Sequence, residues 1–576
     1  MLASRLAPAL QVLQVLLALL VVRRLLYHTA YLRDDPFALI PIGDGRTHEI
    51  AARNIARHFP LGTEPLQLDG LYAYVMALPM SVLPWLAFAL LFQLLLASLA
   101  LLLFHRTACR AFGRMPGSLA TVLLMAYPTL SFFENKWSAT EVRVIVSVLA
   151  LWAFCRALEL ASSWRVAVFG AVSGLSCMAQ PWALLALPLS ALAVRELGRV
   201  HGRSSARLWM AFAAGGALAL LPAAARNGNV IGAPDLLPKH AVSIPLFIGS
   251  NAHADGHWND GGGVIDRAHP GGRAALTAAL VLPDGQDSDL HAAVDDALYT
   301  RAFAFMRDQP ATWLALTARK AWHALGNEER GAQYDLPGER ELLGGAYHLG
   351  LPFGVIAALG LLGIAALLRS DAALSERNPR RAWSYAICGQ LVAPVALLLL
   401  GFVSADNRLP AVVPLCFAAG PALAMLARQR QRFTLAPRRP ALLLAAALCA
   451  LAFIPRGASA APDPWHHFHL AEVKRRLGDM DGAIASYGRA IDADPTQPRF
   501  LLSQLRLLRV MMAIGPAEQA LHRLQCLPRP SRDLRAQIGN ERKLIESLRR
   551  HLALLARGRP SGAAARPKPA WVAPPL

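Results

Sequence analysis

Long apolar runs, interrupted by short polar turns, set the first expectation for this chain. A helix needs about 20 residues to cross a hydrocarbon core about 30 Å thick. Runs of that order, several of them short, lie near 6–27, 83–104, 117–132, 143–161, 166–179, 181–195, 208–224, 349–368, 384–403, 409–427 and 440–455. The pattern predicts an all-α, polytopic membrane domain over 1–456 with about eleven transmembrane helices and two long outer segments, 28–82 and 225–348. Beyond about Pro464 the apolar spacing becomes that of helices with charged faces, which predicts a separate helical module over 464–555. The remaining stretch, 556–576, is rich in Pro, Ala and Arg and reads as disordered.

Composition supports the bilayer as the solvent, because 55% hydrophobic residues in 576 exceed what ordinary soluble cores hide. The formal charge of +20 raises the question of nucleic acid, and the placement of the basic residues answers it. They gather in short clusters between apolar runs: Arg106/Arg110/Arg114, Arg165, Arg195/Arg199/Arg203/Arg207, Arg369/Arg377/Arg380/Arg381 and Arg428/Arg430/Arg432/Arg438/Arg439. Clusters of that kind are retained in the cytoplasm and orient membrane helices. All five agree on one orientation, with the N-terminus cytoplasmic and the two long segments and the C-terminal module on the opposite side; no nucleic-acid partner is expected. Six of seven cysteines lie in or beside apolar segments, with no CxxC spacing and no disulfide framework. The first apolar run lacks a small-residue cleavage site and is followed by Arg23-Arg24, so it reads as a retained helix.

Candidate chemistry concentrates in the outer segments. The first contains PIGDGRTHEIAARNIARHF, in which Asp44 follows a glycine ahead of a helix that carries Glu49. One reading is a helix cap with a favourable acidic first turn. The other is a carboxylate that acts as general base toward a hydroxyl, with Arg46 or Arg53 approaching a phosphate. Glu141 follows Ser138-Ala139-Thr140, which a cap also explains. His253, Asp255, His257 and Asp260 beside three glycines read as a substrate-covering loop in preference to a metal site. The module at 464–555 opens with LAEVKRRLGDMDGAIASYGRAIDADP, which places Ala471, Ala483 and Ala490 at helix contacts, turns at Gly478-Asp479 and stops at Pro495. This resembles a tetratricopeptide repeat, with a degenerate second unit around Ala517 and Leu521.

Taken together, these segments resemble bacterial family 39-like glycosyltransferases of the GT-C membrane fold, the mannosyl and aminoarabinosyl transferase type, in particular those with tetratricopeptide tails. The resemblance rests on Gly43-Asp44 in the first outer loop, the aromatic segment Gln67–Tyr74, ARNGNVIGAP and PLFIGSNAHADG, MRDQPATWLALTARKAWHALGNEE, and Asp406-Asn407-Arg408-Leu409-Pro410. It departs at His48, at Gly45 and at Gly70-Leu71-Tyr72-Ala73.

The resemblance implies a bacterial inner-membrane enzyme with a periplasmic site. It would move a sugar from a polyprenyl-phosphate donor to a hydroxyl of a lipid, glycan or protein. In that picture Asp44 is catalytic, and Arg226, Lys320 and Arg408 bind the donor phosphate. Glu49, Tyr72, Glu141 and Asn251 orient sugar or acceptor. No metal or cofactor is expected, and membrane lipid and a protein recruited by the repeat-like module are the other partners. A lipid-linked glycan transporter or a non-catalytic scaffold are the competing classes. Transporters usually place charges near the bilayer midplane on broken helices; the polar groups here gather at helix ends.

Overall fold

The computed structural model describes residues 2–64, 68–232, 235–262, 264–265, 287–368, 379–429, 439–455, 463–528 and 532–557. Gln67, Gly263, several cluster arginines (Arg369, Arg377, Arg430, Arg432, Arg438) and the tail beyond 557 lie outside them. The described residues form helices and no strand. The chain divides into two compact units, Met1–Pro462 and Asp463–Leu576.

The first unit begins with α1 (Leu2–Asp34), the shorter helices α2 (Gly43–Arg57) and α3 (Gly70–Val82), and α4 (Leu86–Phe112). The run at 117–132 becomes α5 (Arg114–Met125) and α6 (Pro128–Glu134), bent by 65° where Pro128 removes a backbone donor. Next come α7 (Thr140–Glu159), α8 (Ser163–Ala179), a 3₁₀ turn (Pro181–Ala186), α9 (Leu187–His201) and α10 (Ser205–Ile231). The long segment 225–348 holds α11 (Ser243–Gly249), α12 (Asp287–Asp308), α13 (Pro310–Ala324) and α14 (Leu336–Leu343). The unit ends with α15 (Phe353–Leu368), α16 (Pro379–Leu400), α17 (Ala405–Gln429) and α18 (Arg439–Ala452). Every apolar run read from the sequence is therefore helical. Among the described residues five helices are long and apolar enough to cross a membrane, in α1, α4, α10, α15 and α16, with the bent α5–α6 pair a sixth. The others are shorter or, as in α7, carry charges at their ends.

Small residues bring helices into contact where lipid supplies no hydrophobic drive. Gly170 and Gly174 of α8 meet Gly216 of α10, Gly215 packs on Ala167, and a Cβ at Gly170 would collide with the Phe212 carbonyl oxygen. The middle of α17 is wholly buried, including Val412, Cys416, Phe417 and Ala419, which makes it a central helix of the unit. A buried ion cluster locks the outer segment to the bundle: Lys136 pairs with Glu339 of α14 and, at 3.7 Å, with Asp35, and its ammonium lies 3.7 Å over the Tyr31 ring. That lock holds the preceding residues, Gln333 and Tyr334, against the start of α2.

The second unit contains α19 (Pro464–Arg476), α20 (Met480–Ala493), α21 (Pro498–Val510), α22 (Ile514–Gln525) and α23 (Arg532–Arg557). Asp479 caps α20 by accepting from the Gly482 amide at 2.9 Å, and Gly478 makes the turn with φ +85°. Ala471, Ala483, Tyr487, Ala490, Phe500, Leu505, Ala517 and Leu524 form one core, closed by Ile538 and Ile545 of α23. The alanines expected at helix contacts are all fully buried.

Candidate functional site

The site grows from the first turn of α2. Ile42, not Asp44, precedes the helix, and Gly43 takes φ +51°, a left-handed conformation that costs a glycine little. A side chain at Gly43 would also strike the Gln333 amide, 2.8 Å from the position of its Cβ. Gln333 accepts from the Asp44 amide at 3.0 Å and hydrogen-bonds its carboxyl. The other carboxyl oxygen of Asp44, Oδ1, is shielded from solvent and has no hydrogen-bond partner. Burial pushes the Asp44 carboxyl up to about 7, the charges of Asp69 and Asp406 add to the shift, and Arg143 opposes it. Behind it, burial pushes His48 down to about 4, so this imidazole packs neutral, edge-on to Tyr72 with ring centroids 5.0 Å apart.

Asp44, Asp69, Arg143, Asp406 and Asn407 line one cavity of about 70 Å³, with Trp182, Trp258 and Phe402 on its apolar side. A smaller space of about 40 Å³ shares Asp44, Asp69, Arg143 and Asp406 with it and is also lined by His48 and Gln333, and a third, of about 50 Å³, runs between α7, α8, α9 and α16. Arg143 borders all three. Its Nη2 pairs with Asp69 at 2.6 Å and its Nη1 donates to Asn407 Oδ1 at 3.2 Å. The carboxylates thus come from three helix starts, α2, α3 and α17, and the arginine from a fourth, α7.

Most of the other residues expected at the site are held elsewhere. Arg226 donates to the Glu64 carbonyl at 2.6 Å and to Tyr74 Oη at 3.2 Å, and so anchors the first outer loop. Lys320 places its ammonium on the carbonyls of Gly249 (2.6 Å), Leu399 (3.1 Å) and Leu400 (3.4 Å), capping the C-terminal ends of α11 and α16. Burial lowers its pKa to about 8. Arg408 turns away from the cavity onto Glu329 (2.7 Å) and the carbonyls of Gly326 (2.5 Å) and Glu328 (2.9 Å), with its guanidinium over Phe353. All three cations are buried and are engaged by protein acceptors outside the Asp44 cavity, with Nε of Arg226 and of Arg408 left without a partner.

Glu49 is clamped by Arg46 and, at 2.8 Å, by Arg53 on its own helix, which also occupies both arginines expected near a phosphate. Tyr72 donates to Gln93 at 2.8 Å. Glu141 lies two residues from Arg143, about 200° around the helix, and faces Glu134 and Arg24 away from the cavity. Asn251 organises its own loop, donating to the Phe247 carbonyl and accepting from the His253 amide, both at 2.8 Å. Asp255 and Asp260 accept from the amides of His257 and Gly262, and no cluster of three or more metal-binding side chains occurs among the described residues.

No family model and no curated protein matches the chain. Solved structures do. The Archaeoglobus fulgidus oligosaccharyltransferase in complex with Zn and sulfate is 13% identical over 80% of this chain, with a TM-score of 0.36. ArnT from Cupriavidus metallidurans in the apo state is 15% identical over 73% of this chain and 78% of its own, with a TM-score of 0.30. The undecaprenyl-phosphate-bound form of ArnT is 12% identical over 74% of this chain and 79% of its own, with a TM-score of 0.29. The chain spans 56% of the length of the archaeal enzyme.

Three site residues escaped the sequence reading: Asp69, Arg143 and Gln333. Arg143 did leave a signal. It is an arginine at the outer end of an apolar helix, on the side that the charge pattern otherwise leaves poor in arginine clusters. Asp69 sits in the loop just before α3, and its role appears only when α7 is brought alongside. An Asp-x-Asp triplet, Asp287-Ser288-Asp289, also opens α12.

Proposed function

We propose that this chain is a membrane glycosyltransferase of the GT-C kind that moves a sugar from a polyprenyl-phosphate donor to a hydroxyl acceptor at the periplasmic face of a bacterial inner membrane. The observation that carries the reading is Asp44. Its Oδ1 is shielded and without a partner, and Asp44 lines a cavity that Arg143 also lines. A carboxyl held at about 7 is half-ionised at neutral pH, the condition under which a general base combines availability with proton affinity.

In this reading Asp44 takes the proton of the acceptor hydroxyl as its oxygen bonds to the anomeric carbon. The bond from that carbon to the phosphate oxygen breaks, and its electron pair leaves with the lipid phosphate. Negative charge grows on the departing phosphate and calls for a fixed cation nearby. Arg143 is the arginine that borders the cavity, whereas Arg226, Lys320 and Arg408 hold the architecture. Asp69 and Asn407 orient the Arg143 guanidinium. The charged groups of the cavity lie at helix starts, which favours transfer over transport. The C-terminal unit, read as tetratricopeptide-like, would recruit the acceptor.

The test is mass spectrometry of lipid-linked sugars and surface glycans in cells that carry the wild-type gene, Asp44→Asn or no gene. A missing glycan in both of the latter strains is expected, with the substituted protein present at normal abundance. Asp44→Asn activity equal to wild type would remove Asp44 from the chemistry.

A further inference from the structure

The second unit makes the same turn twice. After α19 the amides of Leu477, Gly478, Asp479 and Met480 donate to the carbonyls of Val473, Arg475, Lys474 and Gly478. After α21 those of Met511, Met512, Ala513 and Ile514 donate to Leu507, Arg509, Leu508 and Met512 in the same order. The two turns are offset by about 34 residues, the length of one tetratricopeptide unit. They differ at the position of positive φ, where the first has Gly478 at +85° and the second Met512 at +57°. Glycine takes the left-handed region without strain and a side chain does not. Met512 keeps its side chain there yet leaves it 59% exposed, so packing within the module does little to offset the strain. Strain that the fold does not explain points to a task outside it.

Topology places both turns on one edge. Each turn reverses the chain, so α19 and α21 run in the same direction; both have 13 residues. Near their starts the rings of Phe468 and Phe500 stack with centroids 5.2 Å apart. Arg506 donates to Gln537 at 3.3 Å and Arg509 to Glu541 at 2.9 Å, so α23 follows α21 in that direction as well. The edge at the ends of α19 and α21 exposes half of Leu477 and of Val510, and Met511 beside Met512. Lys474, Arg475 and Arg476 form the last turn of α19 behind it. Of the acids there, Glu472 and Glu541 pair with arginines and Asp479 caps α20, which leaves Asp481 beside the turn. Beyond Glu541, α23 continues as RKLIESLRRHLALLAR, with five basic residues and one acidic, and exposes Leu544 and Leu554.

We infer that this edge docks on the anionic lipid surface of the bilayer that carries the first unit. Leu477, Val510, Met511 and Met512 enter the boundary between headgroups and acyl chains, and the basic residues behind them and along α23 meet lipid phosphates. Apolar burial and attraction to anionic lipid act together in surface-bound helices of this composition. Only residues 453–463 separate α19 from the apolar helix α18, and an extended chain spans about 3.5 Å per residue. That tether presents the bilayer to the module at high effective concentration. The inference needs the chain to be a membrane protein and is independent of sugar transfer.

The test is hydrogen–deuterium exchange on the full-length protein in detergent, in phosphatidylcholine nanodiscs and in nanodiscs that also contain phosphatidylglycerol. Exchange over 474–480 and 508–515 should be about tenfold slower with phosphatidylglycerol than in the other two, and high salt should reduce the difference by screening. The double substitution Met511→Ser/Met512→Gly removes two apolar side chains and gives the turn the residue its φ favours. It should abolish the slowing and leave the melting temperature unchanged or raised. Lys474→Glu should weaken the slowing in phosphatidylglycerol alone. Equal exchange in all three preparations overturns the docking, as does a lower melting temperature of the double variant, which would assign the methionines to the fold. Slowing that persists in detergent means that protein covers the edge, and slowing confined to nanodiscs that hold two copies by native mass spectrometry assigns it to a second copy; both overturn the lipid surface.

Discussion

Asp44 shows how a short-range environment sets a residue's chemistry. In the unfolded chain its carboxyl has the ordinary value of 3.8, and burial beside Asp69 and Asp406 raises it to about 7. The folded protein therefore binds more protons than the unfolded chain between about pH 4 and 7. Its stability should fall with rising pH across that window and level off above it. Melting of the wild type and Asp44→Asn between pH 5 and 8 checks this, since the substitution should flatten the slope. In the proposed reaction the ionised form is the active one, so turnover should rise with pH through about 7. Loss of a general base costs on the order of 10² to 10⁴ in rate. Lys320 behaves in the opposite sense, as a structural cation. Lys320→Met leaves three carbonyls without their donor, at about 1–3 kcal/mol for a buried unsatisfied group, and should lower the melting temperature. Affinity of the folded fraction for undecaprenyl phosphate should stay as in wild type; a selective loss of that affinity would return Lys320 to the site.

At the scale of elements, the cavity exists because helix starts converge. Each of α2, α3, α7 and α17 contributes a charged residue from the loop before it or from its first turns, where side chains reach beyond the apolar body of the bundle. The contact of α8 with α10 helps to fix this geometry, because α8 ends at Gln180 beside the cavity. Gly170→Leu inserts a side chain where even a Cβ meets the Phe212 carbonyl, and overpacking of this kind costs about 1–3 kcal/mol or more. A lowered melting temperature and weaker undecaprenyl phosphate binding are expected together. Gly216→Ala is the control, since its Cβ comes no closer than 3.4 Å to its nearest neighbour and should be tolerated.

At the scale of the whole molecule, the second unit has a core of its own, with Phe468, Tyr487, Phe500 and Leu505 at its centre. Residues 463–557 expressed alone should give a helical circular-dichroism spectrum and a cooperative melt, and Tyr487→Ala should destabilise it by about 3–5 kcal/mol. A non-cooperative melt of the wild-type fragment would show that it depends on the membrane unit. The run lengths of apolar residues determined the helices, because a bilayer leaves a spanning segment few alternatives, and every run is helical in the structure. Gly43-Asp44 was legible for a similar reason: a glycine before an acid at a helix start is a local signal. The contacts of the arginines and the lysine were not. Arg226, Lys320, Arg408 and Arg143 all stand near outer helix ends in the sequence, and which of them borders the Asp44 cavity depends on carbonyls and carboxylates dozens to hundreds of residues away. The sequence by itself determined where charge is placed along the chain. Only the tertiary structure decided which acceptors each charge meets and which of them border the cavity, because hydrogen bonds are satisfied by whatever the packing brings within about 3 Å.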